Sequence, residues 1–417
     1  MSNGLTASAP TRAGVDWRRT IALAGPGIVV MLADTDAGSV VTAAQSGAQW
    51  GYRLLLLQFA LIPVLYIVQE LTVRLGVVTG RGHAVLIKQH FGRFWAWVSV
   101  STLMIACIGA LLTELSGLAG VGDMLGVPMW ATMTLTVGAL VAIAVTGSYL
   151  SVERIAIAIG AFELAFLLVA WLAKPGLGEV ARQSLEMPLS DPKYLLLVSA
   201  NIGAVIMPWM VFYQQSSVVE KGLKIEDLAA ARADTAFGAV ATQLTMAAVL
   251  VAAAAALSQG GTGAALDTVQ EIAQAFTPVL GEWAGRLAFA LGVSGASLVA
   301  AIVVTLTAAR TLGELMSYHH SLEHSLREAP WFYAVYAAVL VIGAAIVMSG
   351  ANLVTLSVSV QVMNALLLPI VLGFLFLLAR RLPPPFRLAG RRAVMTAGTI
   401  IVAVALGLYA GVAGLWG

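Results

Sequence analysis

The sequence predicts an all-α integral membrane protein with eleven transmembrane helices. Ten fall into two five-helix groups of opposite topology, and one is appended. Three observations predict this: the composition, the spacing of the apolar segments and the placement of the basic residues. Of 417 residues, 59% are hydrophobic and 11% charged, with a mean hydropathy of +0.90. A soluble domain carries about 25% charged and roughly 45–50% apolar residues. The excess apolar surface must therefore face lipid. The net charge of +2 gives nucleic acid nothing to bind. The single cysteine, Cys107, excludes an intramolecular disulfide and a cysteine-built zinc site.

Apolar stretches at 20–47, 53–78, 94–122, 129–147, 153–173, 193–219, 235–257, 286–316, 331–349, 353–379 and 393–416 read as the spans. Each is long enough to cross ~30 Å of hydrocarbon at 1.5 Å per residue. No alternating strand pattern is present, and spanning backbone must satisfy its own hydrogen bonds, so helices are expected. The expected organisation is a cytoplasmic tail (1–19), a first five-helix repeat (20–173), a second (193–379) and an additional C-terminal span (393–416).

With the N-terminus inside, 18 of the 23 Lys and Arg residues fall on the inner side and five on the outer. That asymmetry follows the positive-inside rule and puts the C-terminus outside. No cleavable signal pattern precedes Trp17. A multi-pass protein of the bacterial inner membrane is expected.

Two spans carry polar or breaking residues at mid-depth. The first reads GPGIVVMLADTDAGSVVTAAQSGAQWGY, Gly25–Tyr52, with Asp34 and Asp36 mid-span and a break expected at Gly38. The sixth reads NIGAVIMPWMVFYQQSS, Asn201–Ser217, with Gly203 and Pro208 around its midpoint. Each opens a five-helix group. Five is odd, so the groups are inverted, and broken helices at matching places in inverted halves point to a binding site near the bilayer midplane.

An intramembrane aspartate is costly, which makes Asp36 the leading candidate. A cation at the break would find its carboxylate, freed backbone carbonyls and the Ser39 hydroxyl. The alternative is that Asp36 caps the second half-helix, with Ser39 as a rival cap. Asp34 would face a vestibule or lie just outside the ligand shell. In the sixth span Pro208 removes a donor and exposes carbonyls around Ala204. Met207 beside it is either packing or a soft ligand that favours transition metals over Mg²⁺ and Ca²⁺. Glu114 and Gln361 are expected on a vestibule or polar path, and Glu163 to relay protons or close a salt bridge. Glu70 is expected to pair with Arg74 at i+4. His83, His90, His319, His320 and His324 are placed in solvated cytoplasmic loops, with loose metal binding by His319, His320 and His324 as the alternative.

These features resemble the NRAMP family of divalent-metal transporters, which has the LeuT-type inverted-repeat fold. Beyond the first span, the likeness rests on VQELTVRLGVVTGRG (Val68–Gly82), SVERIAIAIG, ARADT and GAVIMP (Gly203–Pro208). It runs over nearly the whole chain. The resemblance implies a metal held by Asp36 and Ser39, standing where the family has the Asp and Asn of a DPGN motif, and by the Ala204 carbonyl and Met207 thioether. The chain departs from the family elsewhere. Trp209 and Gln214 stand where the family has histidines, Leu111 replaces an aspartate of its proton path beside Glu114, and the basic residues of its ninth helix are absent.

The expected function is alternating-access transport of a divalent cation, Mn²⁺ or Fe²⁺ favoured, with weak or absent proton coupling and no cofactor. The alternatives are a Mg²⁺ transporter of the same fold and a non-transporting membrane protein. A membrane-embedded protease is disfavoured because no span core contains His and Asp34 and Asp36 are too close to face one another. A carrier of anionic substrates is disfavoured by the carboxylate at the break.

Overall fold

The computed structural model describes residues 26–146, 158, 163–257, 263, 265–274, 281–350 and 352–416. Among these the chain is helical, with no strand. Helices α1 (Pro26–Asp34) and α2 (Ala37–Trp50) form the first span, bent by 50° at Thr35–Asp36. Then follow α3 (Leu55–Thr79), the short α4 (His83–Phe91), α5 (Arg93–Met124) and α6 (Met129–Thr146). Of the fifth expected span, 153–173, α7 (Leu164–Leu172) is described; most of what precedes it lies outside the described residues, as does the tail. Helix α8 (Leu177–Ser184) turns away by 113°, so it is a separate connecting helix.

The second half begins with α9 (Pro192–Val205) and α10 (Pro208–Glu220), the two parts of the sixth span. It continues through α11 (Leu228–Leu257), the short α12 (Val269–Gln274), α13 (Glu282–Met316), α14 (Pro330–Met348) and α15 (Leu353–Ala379), and ends with α16 (Gly390–Trp416). Among the described residues nine helices are long and apolar enough to cross a membrane, and the bent first pair adds a tenth.

Burial sorts these spans into layers. In the most apolar stretch of the sixth span 94% of residues are buried, against 22% in α6 and 28% in α16. The two broken spans therefore sit inside the bundle, while α6 and α16 form its lipid-facing rim. The first span packs on α11, α13 and α15, and α9 packs on α15 and α16. Exposed tryptophans, among them Trp130, Trp171, Trp283 and Trp331, mark helix ends of the kind that anchor at membrane interfaces.

Charged side chains tie one end of the bundle together. Glu70 accepts from Arg74 and also from Arg232 of α11, so the expected i+4 pair is half of a triad. Arg310 pairs with Glu220 at 2.6 Å. Asp234 accepts the Gly27 N–H at 2.8 Å, a carboxylate at the positive end of α1. At the opposite end Gln45 grips the peptide of Leu266, accepting its N–H and donating to its carbonyl, which straps that loop onto α2.

One histidine corrects the expectation of solvated loops. His83, the first residue of α4, is fully buried against Phe212, with ring centroids 4.8 Å apart. Gln215 donates its amide to the Arg81 carbonyl, so its oxygen faces His83 and the ring must carry its proton on Nδ1. Burial lowers the His83 pKa to about 4.

Candidate functional site

Both broken spans use capping chemistry at the break. Asp36 adopts an extended conformation and caps α2, its Oδ1 accepting the Ser39 N–H at 2.6 Å. The break therefore falls at Thr35–Asp36, two residues before the expected Gly38. Asp36, rather than Ser39, is the cap, because Asp36 is the last residue with strand-like dihedrals and its carboxylate reaches the third helical N–H. In the sixth span the break is at Ile206–Met207. Pro208 opens α10, where its missing N–H costs nothing.

Capping does not exhaust Asp36. Its Oδ2 has no hydrogen-bond partner among the described residues, and the side chain is 0% exposed. The Ser39 hydroxyl points across the bundle and donates to the Ala204 carbonyl at 3.2 Å. Asp36, Ser39 and Ala204 are thus brought together, and they join the two breaks. Met207 is buried at the second break, where its sulfur accepts the Trp209 indole N–H at 3.2 Å.

Glu114 of α5 is fully buried and accepts the N–H of Ala37, the residue after Asp36, at 3.1 Å. It therefore holds the start of α2 from the opposite side. Asp34 ends α1, where a negative charge opposes the helix dipole. It is 1% exposed, and neither carboxylate oxygen has a hydrogen-bond partner among the described residues. Glu163, just before α7, is 3% exposed, and its Oε1 has no hydrogen-bond partner among the described residues.

Gln361 of α15 has a more specific position than a polar path suggests. A Cβ on Gly38 would collide with its side-chain amide, and a Cβ on Gly203 with its backbone carbonyl. The residue is thus wedged between the two broken spans, and the glycines at 38 and 203 are what let it in. Thr113 closes the same corner, donating to the Ala110 carbonyl and lying 3.1 Å from the same Gly38 position. Neither Thr113 nor Asp234 is singled out by the sequence. The ARADT stretch contains Asp234, but nothing in it announces a partner 207 residues away.

The donors gathered here are one carboxylate, a hydroxyl and a carbonyl, with a thioether at the second break. No group of three or more His, Cys, Asp or Glu side chains arranged to hold a metal exists among the described residues.

Residues 27–413 match the family described as "Natural resistance-associated macrophage protein-like", Nramp. The chain belongs to the Nramp family. It is similar to a "Divalent metal cation transporter MntH" of Mesorhizobium japonicum, 29% identical over 70% of this chain and 67% of that protein. A second protein of that description, from Brucella suis, is 27% identical over 71% of this chain and 67% of its own length. Among solved structures, a manganese transporter of Eremococcus coleocola superposes with a TM-score of 0.78 at 21% identity, covering 97% of this chain and 88% of that one. At that identity the likeness shows the fold, which is the LeuT-type architecture. As an Nramp chain, this is a multi-pass integral membrane protein and a transporter rather than an enzyme.

Proposed function

We propose that this Nramp protein carries a divalent metal cation across the membrane by alternating access, with the ion held between the two breaks by Asp36, Ser39, the Ala204 carbonyl and Met207. The observation that carries the reading is the free Oδ2 of a buried, capping Asp36 beside a hydroxyl–carbonyl bridge between the broken spans. A carboxylate in that setting calls for a cation. The metal-transporting relatives support the same class of cargo. Mn²⁺ and Fe²⁺ are favoured, since both accept hard oxygens with one sulfur. Asp34, Glu114 and Gln361 line the approach.

The two repeats are 20–173 and 193–379, with α16 outside them. The basic-residue asymmetry supports a cytoplasmic N-terminus and an external C-terminus, and the bacterial relatives support residence in an inner membrane. Proton coupling is weak or absent, because Trp209, Gln214 and Leu111 cannot exchange protons near neutral pH.

A second reading, Mg²⁺ as cargo, is favoured by one observation: the Met207 sulfur is engaged by Trp209. A thioether committed to an indole leaves a site of oxygens, which suits a hard ion. Uptake of Mn²⁺ and Mg²⁺ into proteoliposomes, each in competition with the other, decides between the readings. Failure of the purified protein to move any divalent cation would overturn both.

A further inference from the structure

We propose that the corner between α15 and α16 is a binding site for the headgroup of an anionic phospholipid, gripped by Arg380 and Arg387. The connection from 380 to 392 contains five arginines and no acidic residue. Its backbone is held in place. Leu388 donates to the Ala379 carbonyl at 3.0 Å, and the Phe386 carbonyl accepts from Arg74 at 3.4 Å. Arg381 is already committed, donating to the His90 carbonyl at 2.9 Å and covering the Phe91 ring at 4.3 Å.

Arg380 and Arg387 are not spent in this way. Both are exposed, and neither has an acidic partner among the described residues. Arg380 has only the Phe376 ring, 6.0 Å away. Together they line a cavity of about 670 Å³ whose remaining wall is apolar, built from Phe376, Leu388, Ala393, Val394 and Ala397. Val394 is 73% and the adjacent Met395 61% exposed, so the apolar wall continues onto the lipid-facing side of α16.

The cavity is therefore amphipathic in a fixed direction. Two guanidinium groups stand at the membrane surface, and a hydrocarbon-compatible wall leads from them down the helix. A phosphodiester fits the guanidinium geometry and an acyl chain fits the wall. Basic pockets between transmembrane helices are the usual seats of anionic headgroups. A free phosphate ion would use the arginines and leave the apolar wall to water. A metal cation is repelled by both. The occupant that satisfies every wall is a lipid. Its headgroup would sit on a linker that also touches α3 through Arg74 and α4 through Arg381.

The test is a titration of phosphatidylglycerol into the detergent-purified full chain, with bound lipid counted by native mass spectrometry. Phosphatidylcholine and inorganic phosphate serve as competitors. The expected result is one tightly held phosphatidylglycerol that neither competitor displaces. Arg380→Gln/Arg387→Gln should weaken it about 30-fold, the effect of two basic residues at an anionic surface. Arg380→Lys/Arg387→Lys should keep most of the binding, which guards against a folding artefact. Arg391→Gln/Arg392→Gln, outside the cavity, should change it little. Equal loss in the two Gln pairs would mean diffuse loop charge and overturn the site. So would unaltered binding in Arg380→Gln/Arg387→Gln, or displacement of the lipid by inorganic phosphate.

Discussion

Trp209 donates its indole N–H to the Met207 sulfur at 3.2 Å, across the first turn of α10. Both side chains are 0% exposed, so water cannot replace either partner. The bond ties the soft donor of the candidate site to the residue that stands where the family has a histidine.

Removing that donor should release the sulfur. Trp209→Phe keeps most of the ring volume and loses the N–H. A hydrogen bond of this kind is worth about 1 kcal/mol, so the ratio of Mn²⁺ to Mg²⁺ uptake should rise about fivefold in competition assays. Met207→Ala should move the ratio the other way, towards Mg²⁺ and Ca²⁺. If neither variant changes the ratio, Met207 is packing and the soft-ion argument fails.

Coupling has its own readout. Glu114 is held as an acceptor for the Ala37 N–H, and its family partner position is Leu111. Mn²⁺ uptake into vesicles carrying a trapped pH dye should leave lumenal pH unchanged. Metal-driven acidification that disappears in Glu114→Gln would contradict this.

Gly38→Ala tests the wedge at Gln361. The new methyl group meets the Gln361 amide and Thr113 Oγ1. Overpacking typically costs 1–3 kcal/mol. The expected outcome is a lower melting temperature and a sharp fall in uptake, both partly restored by Gln361→Ala, which clears the amide. Wild-type transport by the single variant would place Gln361 away from the moving parts.

His83 predicts a pH dependence of stability. Its pKa falls from 6.5 unfolded to about 4 folded because burial penalises the charged ring. The unfolded chain therefore binds more protons between those values, and stability is lost as pH drops from 6.5 towards 4. The full shift corresponds to roughly 3 kcal/mol. Thermal unfolding of the detergent-solubilised protein followed from pH 7 to pH 4 should show this loss, reduced in His83→Gln.

The spans and both breaks were legible in the sequence because they depend on local signals: long apolar runs, a proline, and an aspartate among hydrophobics. The first break lies two residues before Gly38, the glycine that the sequence offers as its cause. That glycine serves a neighbour instead, making room for Gln361, a contact between residues 323 positions apart in the sequence. The burial of His83 is hidden from the sequence for the same reason. Its short helix is flanked by loop residues, and only the docking of α4 on α10 buries it. The Asp36–Ser39–Ala204 link followed from pattern and resemblance. The Met207–Trp209 bond did not, since sequence spacing alone leaves two side chains at a helix start free to point apart.

In the proposed function, Asp36 supplies the charge that holds the cation. Asp36→Asn isolates it, because asparagine caps a helix about as well as aspartate and keeps the Ser39 N–H satisfied. Asp36→Ala also loses the cap, at about 1 kcal/mol. Ser39→Ala removes one neutral donor and should weaken apparent Mn²⁺ affinity about fivefold. The decisive measurement is Mn²⁺ uptake by reconstituted Asp36→Asn whose melting temperature matches wild type. Uptake at the level of empty vesicles is expected; uptake at the wild-type rate would contradict an Asp36-held cation.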